Sequence, residues 1–158
     1  MSDTSATQRS LDAAYRYLSY RPRSEGEVRQ RLLRRGFGNE QVEKAIAKLK
    51  EENLIDDFAF AQFWKDNRLS FRIKSKRLIA KELRDKRVAR DIADEVTKDI
   101  DDERNAYTVA RGRAPFLDDL DYSQFRQRLS SYLSYRGFSH QAIRSTVARL
   151  WQEKARKD

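Results

Sequence analysis

The sequence predicts an all-α protein made of three tandem three-helix repeats in an elongated array, and three observations support this. Apolar residues recur at the helical spacings of three and four, and no segment alternates as a half-buried strand would. A charged fraction of 37% with only two prolines and five glycines is typical of helices with thin cores. A Leu-x-x-Arg-Gly-Phe turn occurs twice, 101 positions apart. A repeated helical unit accounts for all three.

The first repeat begins with two helices separated by a proline. The first helix, predicted over 10–20, ends before Pro22, because proline pushes the preceding residue out of the helical region. Ser-x-x-Glu then forms a capping box, in which the Ser24 hydroxyl accepts from the amide of Glu27 and the Glu27 carboxylate accepts from the amide of Ser24. A second helix is therefore predicted from residue 25.

Gly36 stands where this second helix must end. A glycine there adopts the left-handed conformation that closes a helix, and Phe37 then folds back onto the apolar side. A third helix follows from about Asn39, with an apolar face formed by Val42, Ile46 and Leu49. The alternative, a glycine loop that cradles phosphate, requires a preceding strand, whereas here a helix precedes the turn.

The last third of the sequence repeats this pattern in register. Gly137 and Phe138 form the turn, and Ser139 takes the cap position of the last helix. A shift of 101 also matches the apolar positions of the second and third helices, Leu129, Leu133, Ile143, Val147 and Leu150. Such extended agreement indicates a true repeat.

A middle copy lies about halfway between these two. A shift of 51 places Leu83 on the turn leucine and Val88 on the turn phenylalanine, but Arg87 replaces the glycine. The next apolar residues, Ile92 and Val96, fall one position early. A period near 50 is typical of stacked helical arrays. We expect a flexible N-terminal tail over 1–9 and repeats at 10–53, 56–98 and 101–153.

No group of residues in the sequence predicts chemistry, and we expect no catalytic residue, metal site or cofactor. His140 is the only histidine, and no nucleophile or carboxylate stands at a spacing that would make it catalytic. The sequence has no cysteine. The acidic residues around Asp56 and over 99–103 are predicted to cap helices, because an acid at a helix start interacts favourably with the helix dipole. The protein is not expected to be an enzyme.

Positive charge is concentrated in one segment of the chain. Residues 65–90 hold eleven Lys or Arg against three Asp or Glu, an excess of +8 in a protein of net charge +9. Such a concentration is typical of elements that bind nucleic acid or an acidic protein. The candidate partner-binding residues are Arg68, Arg72, Lys74, Lys76, Arg77, Lys81, Arg84, Lys86 and Arg87. Of these, Lys76, Arg77, Lys81 and Arg84 are expected to be largely exposed.

The cellular location is predicted from what the sequence lacks. No apolar run approaches the roughly 18 residues that span a bilayer, and the N-terminus has no apolar stretch of a secretory signal. We therefore expect a cytoplasmic monomer without a membrane partner.

Three segments resemble the RecX family, the regulators of the bacterial recombinase RecA. "LSYRPRSEGEVRQRLLRRGF" at 18–37 is similar to the opening signature of that family, "LIDDFAFAQFWKDNR" at 54–68 to its Leu-x-Asp-Asp and Phe-Ala motif, and "IAKELRDKRV" at 79–88 to its Glu-Leu-Arg motif. The resemblance covers nearly the whole chain. It departs at Ser75 and Arg87, where the family commonly has glycine, so it leaves open the turns around the second helix of the middle repeat.

The resemblance implies a non-enzymatic regulator of recombination in DNA repair and the SOS response. Such a protein would bind RecA, along the groove of the RecA–DNA filament, and mostly inhibit filament growth, ATP hydrolysis and strand exchange. The residues leave one alternative open, a basic helical protein that binds single- or double-stranded DNA without RecA. Helices joined by a glycine-containing turn are common to both kinds of protein.

Overall fold

All regular structure in the described part of the chain is helical. The computed structural model describes the backbone of residues 2–157 and the side chains of residues 4–157. None of the described helices is long and apolar enough to cross a bilayer. The helices are α1 Ser2–Leu18, α2 Glu25–Arg34, α3 Asn39–Glu51, α4 Asp57–Phe71, α5 Lys76–Asp85, α6 Arg90–Thr97, α7 Asp102–Arg113, a short 3₁₀ helix Ala114–Leu117, α8 Tyr122–Tyr135 and α9 His140–Lys157.

The all-α repeat prediction is confirmed, with a correction at the N-terminus. Residues 2–9, predicted as a flexible tail, belong to α1 (Met1 lies outside the described residues). Side-chain bonds one turn apart support this extra helix: Gln8 donates to Asp12 at 3.0 Å and Arg9 to Ser5 at 2.9 Å. The segment has no glycine or proline to stop a helix, so the helix runs on to the residues before Pro22.

The first of two compact units consists of the chain up to Asp66 together with Glu82–Val96. Its largest apolar cluster comes from α1, α2, α3 and the turn after α3. The apolar face predicted for α3 is confirmed, because Val42, Ile46 and Leu49 are buried, in a cluster that also includes Leu11, Ala14, Val28, Leu32 and Ile55.

The second compact unit consists of Asn67–Lys81 together with the chain from Thr97 onward. Its core is formed mainly by α7, α8 and α9, and Phe125 is its largest fully buried side chain. The predicted apolar positions again all point inward, in a cluster that includes Ala106, Ala110, Leu117, Phe125, Leu129, Leu133, Phe138, Ile143, Val147 and Leu150.

The second helix of each repeat ends in the same left-handed turn. The left-handed residue has φ of 95° at Gly36, 68° at Arg87 and 91° at Gly137. The next amide then bonds back five residues: Phe37 to Leu32 O at 3.2 Å, Val88 to Leu83 O at 3.0 Å, and Phe138 to Leu133 O at 3.2 Å. This is the Schellman pattern. The middle repeat therefore makes the turn without glycine.

The expected one-residue slip in α6 does not occur. Ala93 and Thr97 are buried and stand 51 positions after Val42 and Ile46, so the register of the first repeat continues. Ile92 is only half-buried. The sequence pattern was misleading because these two core positions carry a small and a polar side chain in place of aliphatic ones.

Candidate partner interface

Helix α5 carries four of the nine predicted basic residues, and its start is firmly fixed within the second unit. Ser75 is buried, and its hydroxyl accepts from the amide of Leu78 at 3.1 Å, as an N-cap residue does. The amide of Lys76 donates to the Asp102 carboxylate at 2.8 Å. The departure from glycine at Ser75 therefore supplies the helix with a cap.

The basic face predicted on α5 is exposed. Arg77, Lys81 and Arg84 are solvent-exposed, while Ile79 and Leu83 are fully buried. Spacings of four and three residues put the three cations on one side of the helix. Arg77 and Lys81 belong to the second unit and Arg84 to the first. The exposure predicted for these three residues is confirmed.

The other predicted cations of the second unit differ in exposure. Arg72 is exposed, but Arg68 and Lys74 are half-buried and each interacts with another residue. Lys76 is also half-buried, and its ammonium donates to the carbonyl of Lys98 at 3.2 Å. The prediction that Lys76 is largely exposed is wrong, because its side chain turns back to a backbone acceptor.

In the first unit, Lys86 is part of an internal cluster. Its ammonium lies 4.5 Å from the centroid of the Trp64 ring and 3.8 Å from the Glu27 carboxylate. Arg21 joins the same two partners, at 5.6 Å from the ring centroid and 2.6 Å from the carboxylate. Two cations thus share one ring and one acid, an arrangement that stabilises the fold. Lys86, a candidate partner-binding residue, is thus paired within the first unit.

Arg87 serves as a packing residue of the first unit as well as an exposed cation. Its Cβ lies only 2.3 Å from the position that a Cβ on Gly26 would occupy. Gly26 is buried in α2, so only a glycine there allows this turn to approach the helix.

The predicted helix caps are present. The hydroxyl of Ser24 accepts from the amide of Glu27 at 3.0 Å, and the Glu27 carboxylate accepts from the amide of Ser24 at 3.1 Å, which completes the capping box. The Ser24 hydroxyl also donates to the carbonyl of Lys86. Ser139 accepts from the amide of Ala142 at 3.2 Å.

The acidic residues at the repeat boundaries divide into two roles. Asp56 and Asp101 cap their own helices as predicted, accepting from amides three residues later, both at 3.1 Å. Asp57 instead accepts from the amide of Glu25 at 2.8 Å, at the start of an earlier helix. Burial raises the pKa of Asp57. Sequence reasoning missed this role, because local spacing cannot show an acceptor for an amide about thirty residues away.

The comparison with known proteins identifies the family. Models of the first and second three-helix domains of RecX match residues 11–49 and 56–96. The chain belongs to the RecX family. A regulatory protein RecX of Prosthecochloris aestuarii is 36% identical over 150 residues, covering 95% of this chain and 98% of its own. One of Chlorobium phaeobacteroides is 30% identical and covers 96% of this chain and 99% of its own.

A solved structure of the RecX family has the same fold. The crystal structure of RecX from Lactobacillus salivarius superposes with a TM-score of 0.79 at 23% identity, over 93% of this chain and 97% of its own. This similarity supports the all-α repeat architecture. The chain is thus a member of a family of regulatory proteins, and the left-handed turns at Gly36 and Arg87 lie within the two matched three-helix domains.

Proposed function

We propose that the chain binds RecA and the RecA–DNA filament, and that it mostly inhibits filament growth, ATP hydrolysis and strand exchange. Membership in the RecX family supports RecA as the partner. The observation that carries the proposed contact is the exposed face of α5, with Arg77 and Lys81. Regulation then requires only binding and no catalysis by the chain.

The charge of this face agrees with such a partner. A RecA–DNA filament presents phosphates and acidic side chains, and a cationic surface is drawn to both. Ile79 is buried on the opposite side of α5, so the helix is held by its apolar side while Arg77, Lys81 and Arg84 are exposed to solvent. Binding through this face therefore requires little change in the packing of α5.

Inhibition follows from occupancy of the filament. A protein that lies along the filament groove competes with the second DNA molecule during strand exchange and restrains the addition of further RecA subunits. These steps are proposed for a cytoplasmic monomer. Sedimentation of the isolated chain tests the monomer, because a dimer would sediment with twice the mass.

Co-sedimentation tests the proposal against the alternative of independent DNA binding. RecA filaments are assembled on single-stranded DNA with a slowly hydrolysed ATP analogue, and the chain is added at physiological salt. The proposal expects the chain to pellet with filaments and to bind naked DNA of the same length far more weakly. Equal binding to naked DNA, with a steep dependence on salt, would favour the alternative.

A further inference from the structure

A groove between α8 and α9 of the second unit contains two arginines without partners. The groove has a volume of about 850 Å³, with the buried side chains of Ile143 and Val147 in its lining. Arg126 on α8 and Arg144 on α9 both line it and are exposed. Neither forms a hydrogen bond or ion pair with any residue that the structure describes. Two guanidinium groups are therefore available to a ligand.

The remaining polar side chains of this groove are suited to the same kind of ligand. Ser130, Ser131 and Ser134 supply hydroxyl groups, and His140 stands at the first turn of α9. None of the described residues that line the groove is acidic. Guanidinium and hydroxyl donors together are the groups that bind phosphate oxygens.

The equivalent face of the first repeat contains ion pairs that the third repeat lacks. The positions 101 residues earlier are Glu25, Arg29 and Glu43, where one arginine pairs with two acids. Arg29 bonds Glu43 at 2.7 Å and Glu25 at 3.1 Å, and this pairing lowers the pKa of Glu43. In the third repeat both acids are replaced by arginine and the central arginine by serine. The internal ion pairs are gone and an uncompensated positive charge replaces them.

An aromatic ring beside the arginines favours single-stranded nucleic acid over an acidic peptide or a duplex as the ligand. Tyr122 lines the groove, is 45% exposed and is held edge-on to Trp151 at 5.1 Å between ring centroids. An exposed ring beside cations is the combination that binds single-stranded nucleic acid, because bases stack on the ring while cations contact the backbone. An acidic peptide would use the arginines but not the ring, and duplex bases are stacked inside the helix.

We propose that the groove between α8 and α9 binds a single nucleic-acid strand. Arg126 and Arg144 contact its phosphates, and a base stacks on Tyr122. This site shares no residue with the basic face of α5, and it does not depend on RecA. The test of this site therefore uses naked oligonucleotide without RecA. If the groove does not bind the oligonucleotide, the proposed binding to RecA filaments is unaffected. If the chain does not bind RecA filaments, the proposed groove site is likewise unaffected.

The test measures fluorescence anisotropy of a labelled thymidine oligomer of about 15 nucleotides, a length within the range of single-strand sites. The full chain carrying Arg126→Gln and Arg144→Gln is compared with a control carrying Arg111→Gln and Arg128→Gln. The control removes the same charge from exposed arginines of the same unit, outside the groove. Circular dichroism verifies that both variants retain the wild-type helix content.

The groove variant should bind the oligomer about tenfold more weakly than the control, and its salt slope should fall by about 1.4, since each phosphate contact on a single strand contributes about 0.7. Equal binding by the two double variants would overturn the proposal. Arg144→Gln alone should give about half of the change in slope, which provides a second measurement.

The aromatic part of the proposal has its own variants. Tyr122→Ala should weaken binding of the oligomer by about fivefold or more, whereas Tyr122→Phe, which keeps the ring, should bind as wild type does. A duplex of the same length should show little difference between the groove variant and the control. A loss on duplex as large as on single strand would overturn the assignment to a single strand.

Discussion

The carboxylate of Asp102 accepts a hydrogen bond of 2.8 Å from the backbone amide of Lys76. The same relationship, also at 2.8 Å, joins Asp57 to the amide of Glu25. Asp57 and Asp102 are the first residues of α4 and α7, which are the first helices of the second and third repeats. The amides that they accept from belong to the first residues of α2 and α5, the second helices of the preceding repeats. At each of these two helix starts, one amide without a partner inside its own helix therefore bonds to a carboxylate of the next repeat. Each of these hydrogen bonds connects two consecutive repeats.

Replacing Asp102 by alanine should lower the free energy of unfolding by about 1 kcal/mol, because the amide of Lys76 then loses its acceptor. Urea unfolding followed by circular dichroism measures the change. Asp99→Ala is the matched control, since Asp99 is an exposed acid of the same unit and should change stability little. Equal stability of the two variants would contradict the capping role.

Alanine should be costlier at Gly137 than at Gly36. Both glycines have positive φ, so each substitution strains the backbone by about 1 kcal/mol. A Cβ at Gly36 meets nothing within 4 Å, whereas one at Gly137 would lie 2.5 Å from the Ser75 hydroxyl and 2.9 Å from Leu78 Cβ. We expect Gly137→Ala to cost about 2 kcal/mol or more. Urea unfolding of both variants checks the order, and a reversed order would refute the packing argument.

The half-buried carboxyl of Asp57 should give stability a specific pH dependence. Burial raises its pKa above the ordinary value of 3.8. Just above that pH the folded state therefore holds more protons at this site than the unfolded state, so the contribution of Asp57 to stability falls as pH rises. Asparagine at this position keeps a carbonyl acceptor but does not titrate.

The free energy of unfolding of wild type minus that of Asp57→Asn should consequently decrease as the pH is raised from about 4 to 7. Urea unfolding at several pH values measures this difference. The subtraction removes the contribution of Glu43, whose pKa is lowered by its hydrogen bonds to Arg29. A difference that grows with pH would show that hydrogen bonding to the carboxylate outweighs its burial.

The repeats were predictable from the sequence because their signals are local. The Gly-Phe turns, the capping box and the apolar positions at spacings of three and four all lie within about fifteen residues. Arg87 was left open because left-handed φ usually requires glycine, yet the arginine turn is held by the Val88 amide bond to Leu83 O. A local signal is thus sufficient for a turn even when one residue departs from it.

The partners of individual charges were not predictable, because they depend on contacts between repeats. Charge counting placed Lys86 among the candidate partner-binding cations, but its contacts with Trp64 and Glu27 lie within the first unit. The cations of the groove on the third repeat were overlooked for a related reason. Arg126 and Arg144 lie 18 positions apart on different helices, and only the packing of these two helices brings them to one groove.

The central claim, regulation of RecA through the basic face of α5, is tested most directly by reversing charge on that face. The full chain carrying Arg77→Glu, Lys81→Glu and Arg84→Glu is added to RecA filaments at low salt, with RecA ATP hydrolysis as the readout. Because the three side chains are exposed, helix content and melting temperature should stay close to wild type.

Wild type should inhibit ATP hydrolysis strongly at low salt, and a control with Arg111→Glu and Arg128→Glu should do the same. The α5 variant should require at least about tenfold more protein for the same inhibition, and its difference from wild type should shrink as added salt screens the contact. Inhibition by the α5 variant equal to that of wild type at low salt would contradict the account.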